Sequence, residues 1–343
     1  MTCPTQPPGR IPAGRAPVAP ELPATLYIET TNRCDSACRT CIRTFQTLEP
    51  PRDLRLEELV RIAAQLPRLD RVVLHGIGEP LLNPALGEMI AHLKGRGALV
   101  VFNSDAIGLT ERRRHGLILA GLDELRVSLD AATPETYLAI RGVPTFHRVV
   151  ENVAALVELR RELGLAYPVV SLWFTALKHN VRELPDFVRL AAKVGASSVH
   201  VQRLVTYGQG LATREESLHG ALSVLETEML AQASRLAEEL GLCLRASGNT
   251  TPETSLTLEA SRRPWSGCQR PWSLSYITAN GNVLPCCISP WTARDYAGLI
   301  LGDAFTQSFA DIWNGERYRE FRTRFESDQP PEACRGCGRL WSL

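Results

Sequence analysis

Three cysteines within eight residues, Cys34-Asp35-Ser36-Ala37-Cys38-Arg39-Thr40-Cys41, restrict what this chain can fold into more than any other feature. They follow an apolar run at residues 25–30 that reads as a strand, and Thr30-Thr31-Asn32-Arg33 marks the start of a loop. On a loop the thiols can converge, and three soft ligands so close together share one metal site with a coordination position left over. Short-spaced cysteine runs hold iron–sulfur clusters. A zinc site, or thiols that bind nothing, is the other reading that spacing alone permits. Three ligands and a vacancy describe a reactive centre rather than a structural staple.

The 343 residues are 44% hydrophobic, enough for one large domain or a large and a small one. With 38 basic and 37 acidic residues there is no net field to attract nucleic acid or an anionic membrane. No apolar run approaches the roughly 20 residues of a membrane span. Where a signal peptide has its apolar core, this chain has Pro7, Pro8, Pro12, Pro17 and Pro20. These features predict a cytoplasmic protein with no nucleic-acid or membrane partner. Ten cysteines in such a protein argue for metal ligation over a disulfide framework.

Residues 1–20 read as a disordered, proline-rich lead. Residues 21–245 alternate strand and helix patterns: strands at 25–30, 71–75, 98–103, 124–129, 169–175 and 198–204, and helices at 56–66, 84–94, 110–119, 145–163 and 184–194, with a longer amphipathic helix at 217–240. The pattern predicts an α/β fold, a partial (β/α)6 barrel of the triosephosphate-isomerase type, with its chemistry at the C-terminal strand ends. Those ends carry Tyr27 and Glu29, the turn His75-Gly76-Ile77-Gly78-Glu79-Pro80, Asn103, and Ser128 and Asp130 two apart on one strand face. Trp173, Gln202 and Arg203 follow, and with Tyr27 and Glu29 they are candidates for a substrate pocket. Core filling and strand-end solvation are the plain alternatives.

Residues 246–266, rich in Ser, Thr, Pro and Arg, predict a linker, and residues 267–343 a small second domain. Strands at 274–279 and 283–285 meet at Asn280-Gly281, a hairpin turn, ahead of a helical stretch from Phe309 and a terminal Cys334-Arg335-Gly336-Cys337. Such an arrangement brings Cys268, one of Cys286 and Cys287, Cys334 and Cys337 onto one centre. Spacing does not separate tetrathiolate zinc from an iron–sulfur cluster.

The Cys34/Cys38/Cys41 run resembles the signature of the radical S-adenosylmethionine (SAM) enzymes. The later order of Cys268, Pro271-Trp272, Gly281, Pro285-Cys286-Cys287, Ile312-Trp313-Asn314-Gly315, Cys334 and Cys337 is similar to twitch, the shortened SPASM module with one auxiliary cluster. The resemblance implies SAM and two four-iron four-sulfur (4Fe-4S) clusters as cofactors, with a flavodoxin or ferredoxin as reductant. It implies SAM contacts from Gly76, Gly78, Glu79, Asn103, Ser128, Asp130 and Arg141. Members usually carry an aromatic residue before the third cysteine; this chain has Thr40.

Twitch enzymes such as 2-deoxy-scyllo-inosamine dehydrogenase, and related epimerases such as neomycin C epimerase, work in aminoglycoside biosynthesis, so the resemblance implies a carbohydrate or aminocyclitol substrate. The reaction expected is epimerisation, with Cys286 in the ligand position of the auxiliary cluster and Cys287 as catalytic hydrogen donor, or dehydrogenation of the alcohol to a ketone through the auxiliary cluster. Radical diol dehydration and decarboxylation begin with the same abstraction. A peptide maturase is expected to bring a leader-binding winged helix, for which residues 1–24 are short and proline-rich. An interaction protein with two zinc sites is the non-enzymatic alternative.

Overall fold

The computed structural model describes residues 15–258, 262–292, 295–335 and 337. Seven strands follow the expected alternation: β1 (Thr25–Ile28), β2 (Arg71–Leu74), β3 (Leu99–Ser104), β4 (Glu124–Ser128), β5 (Val169–Ala176), β6 (Ser198–Arg203) and β7 (Cys243–Ala246). They pair in parallel in that order. Between them run α1 (Leu56–Ala64), α2 (Leu86–Gly95), α3 (Glu111–Leu119), α4 (Pro134–Arg141), α5 (Phe146–Glu162), α6 (Leu184–Lys193) and α7 (Val224–Glu239). This is the parallel sheet of a partial barrel, with one strand more than the six expected.

Alternation along the strands sorts their side chains into two environments. Leu26, Ile28, Val72, Leu74, Val100, Phe102, Leu125, Val127, Leu172, Phe174 and Val199 join the large apolar core that the helices cover. The opposite face, toward the barrel interior, is polar and layered: Arg126, Trp173 and His200 lie one step below Ser128, Thr175 and Gln202 on the same strands. Helix α4, left without an assignment by the sequence pattern, has clear ends. Thr133 caps its N-terminus by accepting from Thr136 N, Pro134 opens it, and Gly142 closes it at φ 74°.

The C-terminal part continues the barrel sheet. Strand β8 (Leu274–Ile277) pairs in parallel with β1, and the hairpin partner β9 (Asn282–Leu284) and short β10 (Gly302–Asp303) extend it antiparallel. Gly281 in the hairpin turn has φ 89°, and a Cβ there would stand 2.6 Å from the Phe305 ring.

Two expected spans need correction. The predicted linker at 246–266 contains α8 (Pro252–Leu256), packed against α7, β6 and β7. Residues 15–20 of the supposed disordered lead are docked: Arg15 lies 4.1 Å over the Trp272 ring, Trp272 Nε1 donates to Ala16 O (2.7 Å), and the buried Arg322 donates to Pro17 O (3.0 Å). Backbone carbonyls and a guanidinium make these contacts, so hydropathy does not report them. Residues 1–14 lie outside the described residues. No helix of the described residues is long and apolar enough to cross a membrane.

Candidate active site

The cysteine loop leaves β1 and is held from three directions. Thr31 Oγ1 donates to Asp53 Oδ1 (2.7 Å), Ala37 N and Arg39 N donate to Arg141 O and Ile140 O at the end of α4 (3.2 and 2.8 Å), and Leu211 N donates to Arg39 O (2.7 Å). A Cβ on Gly142 would come within 2.4 Å of Ala37 O. The next turn is equally tight: a Cβ on Gly78 would stand 2.0 Å from Thr31 O, and one on Gly76 would stand 2.2 Å from Glu29 Oε1. Gly78 is therefore required by close backbone approach, and at Gly76 the buried Glu29 side chain takes the space a Cβ would need.

Cys34, Cys38 and Cys41 line one open cleft of ≈ 990 Å³, solvent at its mouth included. The cleft also takes in Gly76, Gly78, Glu79, Asn103, Ser128, Arg141, Gln202, Arg203 and Cys287, residues from six parts of the chain that the sequence had singled out. Burial pushes all three loop thiols up, Cys38 to about 11, with Asp105 and Glu79 adding to the effect at Cys34. Neutral thiols are the resting state of the bare loop; a bound cation replaces their protons.

Several expected contacts are spoken for within the protein. Glu79 accepts from Leu81 N (2.9 Å), Ser104 Oγ (2.8 Å) and Asp105 N (2.8 Å), so its carboxylate braces the turn at the cleft wall. Asp130, at φ 61°, does not line the cleft: it accepts from Thr175 N (2.6 Å) and pairs with Arg141 (2.9 Å). Arg141 is buried rather than on the surface, and while one Nη holds Asp130, its buried Nε has no partner among the described residues.

Three proposed substrate residues lie below or beside the cleft instead of lining it. Tyr27 is buried among Tyr276, Leu284 and Cys287. Trp173 stacks on His200 with ring centres 4.0 Å apart under Arg126, because it sits one layer beneath Thr175. Glu29 accepts from Ile77 N (2.7 Å) and Ala279 N (3.1 Å), tying the glycine turn to the C-terminal hairpin.

The lining includes residues that the sequence reading passed over. Asp105 accepts from Ser36 Oγ (2.8 Å) beside Cys34; its position directly after Asn103-Ser104 at a strand end was a usable signal. His75 and Trp291 face each other nearly parallel, ring centres 6.4 Å apart, and burial with Arg126 and Arg270 nearby lowers His75 to about 4. Trp291 had no signal, since only the fold brings it to the cleft.

A second, more enclosed pocket gathers Cys268, Cys286, Cys334 and Cys337 with Trp265, Pro271, Phe321 and Phe325. Cys286 belongs to this pocket and Cys287 to the cleft, so the adjacent thiols face different sites. Both sites suit iron–sulfur clusters. The first offers three thiols beside an open space, and the second offers four in a dry apolar shell with the buried Arg270 Nη2 unpartnered beside them.

Comparison with known proteins agrees with this geometry. Residues 28–202 match the family model described as the radical SAM superfamily, and residues 268–338 match the SPASM iron-sulfur cluster-binding domain. Among curated relatives, the PqqA peptide cyclase of Granulibacter bethesdensis is 26% identical over 93% of this chain and 80% of its own. The tungsten-containing aldehyde ferredoxin oxidoreductase cofactor-modifying protein of Pyrococcus furiosus is 25% identical over 87% of this chain and 82% of its own. Among solved structures, Streptococcus suis SuiB bound to precursor peptide SuiA superposes with a TM-score of 0.68, covering 88% of this chain and 67% of that one at 16% identity. The radical SAM match spans more than half of the chain, and the chain belongs to the radical SAM superfamily, with SAM and 4Fe-4S clusters as its cofactors.

Proposed function

We propose that the chain is a peptide maturase that inverts a carbon centre in a peptide substrate, with Cys287 as the hydrogen-atom donor. The observation that carries the inversion is the placement of Cys287 in the cleft of Cys34, Cys38 and Cys41, outside the pocket of the other four cysteines. Relatives named for a peptide substrate support a peptide over the carbohydrate or aminocyclitol expected from the twitch resemblance.

Cys34, Cys38 and Cys41 would hold the cluster that, given one electron by the reductant, would cleave bound SAM to methionine and a primary carbon radical able to take hydrogen from an unactivated C–H bond. The protein's own part is orientation and hydrogen return. The unpartnered Arg141 Nε suits a carboxylate such as that of SAM, and Gly76, Gly78, Asn103 and Ser128 form the adjoining wall. Glu79 braces that wall from within. His75, neutral at physiological pH, and Trp291 form an uncharged wall in the cleft that Cys287 also lines. The Cys287 S–H gives its hydrogen atom to the substrate carbon. One electron from a flavodoxin or ferredoxin and one proton from solvent restore the thiol.

The test is turnover in D2O with candidate peptides and with aminocyclitols, reading 5′-deoxyadenosine and substrate mass. The expected result is peptide-dependent 5′-deoxyadenosine and one deuterium at an inverted carbon, with deuterium uptake abolished in Cys287→Ala. Turnover of an aminocyclitol but no peptide overturns the substrate class. Peptide turnover without deuterium uptake, or a cross-linked or ketone product from the unaltered enzyme, overturns inversion.

A further inference from the structure

Arg270 is 5% exposed and opens the short helical turn Arg270–Ser273 ahead of β8. One Nη donates to Cys287 Sγ (3.4 Å), and Nη2 is buried with no hydrogen-bond partner among the described residues. The residue lines the pocket of Cys268, Cys286, Cys334 and Cys337 and does not line the cleft. The groups that act most strongly on it are Cys287, Tyr27, Cys286 and Cys268, and Cys337, His75 and Arg71 also feel its charge; none of these is a carboxylate.

A guanidinium keeps its charge at every accessible pH, so it does not escape the cost of burial by losing a proton. A buried guanidinium is held either by neutral acceptors, as Arg322 is by the carbonyls of Pro17, Pro271 and Trp313, or by an anion. Neutral thiols do not provide one. Four thiolates on a four-iron core do, and that centre becomes more negative by one charge on reduction.

We propose that Arg270 is the internal counter-ion of the four-cysteine centre and, through its other Nη, the residue that positions the Cys287 thiol between that centre and the cleft. It is a positioning residue: it acts on the centre's charge and on the orientation of Cys287. The assignment rests on the four cysteines holding an iron–sulfur cluster. It makes the ease of reducing that cluster depend on a single side chain, because a fixed cation favours the more negative, reduced form.

The test uses the full chain with both clusters reconstituted anaerobically, iron and sulfide analysis, and an EPR-monitored redox titration of the second cluster in the unaltered protein, Arg270→Gln and Arg270→Lys. Gln removes the charge, whereas Lys keeps it and loses the fork. The expected result is that Arg270→Gln makes reduction harder by about tenfold or more, a negative shift of about 59 mV for one electron, with Arg270→Lys close to the unaltered protein. Loss of the second cluster in Arg270→Gln but not in Arg270→Lys supports the same role. An unchanged potential in a fully loaded Arg270→Gln overturns the assignment alone, and loss of the cluster in both variants overturns it by making shape rather than charge the requirement. About four irons in the unaltered chain, where two clusters require about eight, overturns the assignment together with the reading of the four cysteines.

Discussion

Single residues at this site are constrained by backbone approach and by burial. Gly142→Ala places a Cβ at φ 74° and 2.4 Å from Ala37 O, so we expect a loss of about 2 kcal/mol or more and weaker loading of the first cluster. Urea denaturation and iron content after reconstitution check both. Glu29 gives a pH signature. Ile77 N and Ala279 N favour its ionised form, but burial and the nearby Glu49 outweigh them and push the carboxyl up to about 7. A folded value above the unfolded one means that the group's stabilisation is complete below about pH 4.5 and is lost as pH rises through 7, on the order of 3 kcal/mol in total. The unaltered protein should therefore lose stability relative to Glu29→Gln between pH 5 and 8, and parallel Tm curves for the two would contradict this. Glu29 was legible as a candidate from its place at a strand end, but its role was not, since its partners Ile77 and Ala279 lie 48 and 250 residues away.

At the scale of elements, strand ends and cysteine spacing were readable because each depends on local order. The expected strand at 169–175 is β5, Val169–Ala176, and the hairpin at Asn280-Gly281 is where the turn chemistry puts it. Strand β7 was missed because its apolar run, Leu242-Cys243-Leu244, is short and breaks at Arg245, which the sheet sets beside His200. Spacing could not choose between Cys286 and Cys287. The short segment after β9 divides them between two sites, so Cys286→Ser should lower iron from about eight to about four per chain whereas Cys287→Ser should leave it near eight. Equal iron loss in the two variants would contradict the division.

At the scale of the whole molecule, the barrel and the C-terminal part share one sheet and one core. Removing everything after residue 266 would strip β8 from β1, leave β1 as an open edge and uncover Tyr27 and Val73 where Tyr276 and Leu284 now pack. We expect that truncated chain to aggregate, with size-exclusion chromatography as the check; a monodisperse, folded barrel would show that the two parts are independent.

The sequence by itself determined the thiol ligand type, the strand–helix alternation and the positions of both cysteine sets, because ligand type, hydrophobic period and turn residues are local properties of the chain. The tertiary structure alone decided that Asp130, Glu79 and Glu29 are bound to their neighbours, that Trp173 lies a layer beneath the cleft, and that Trp291 and Cys287 reach it. The placing of Glu29, Trp291 and Cys287 depends on pairing β8 with β1 across some 250 residues of chain, and that of Asp130, Glu79 and Trp173 on packing among the barrel strands, arrangements set by burial of the shared core and not by any local pattern.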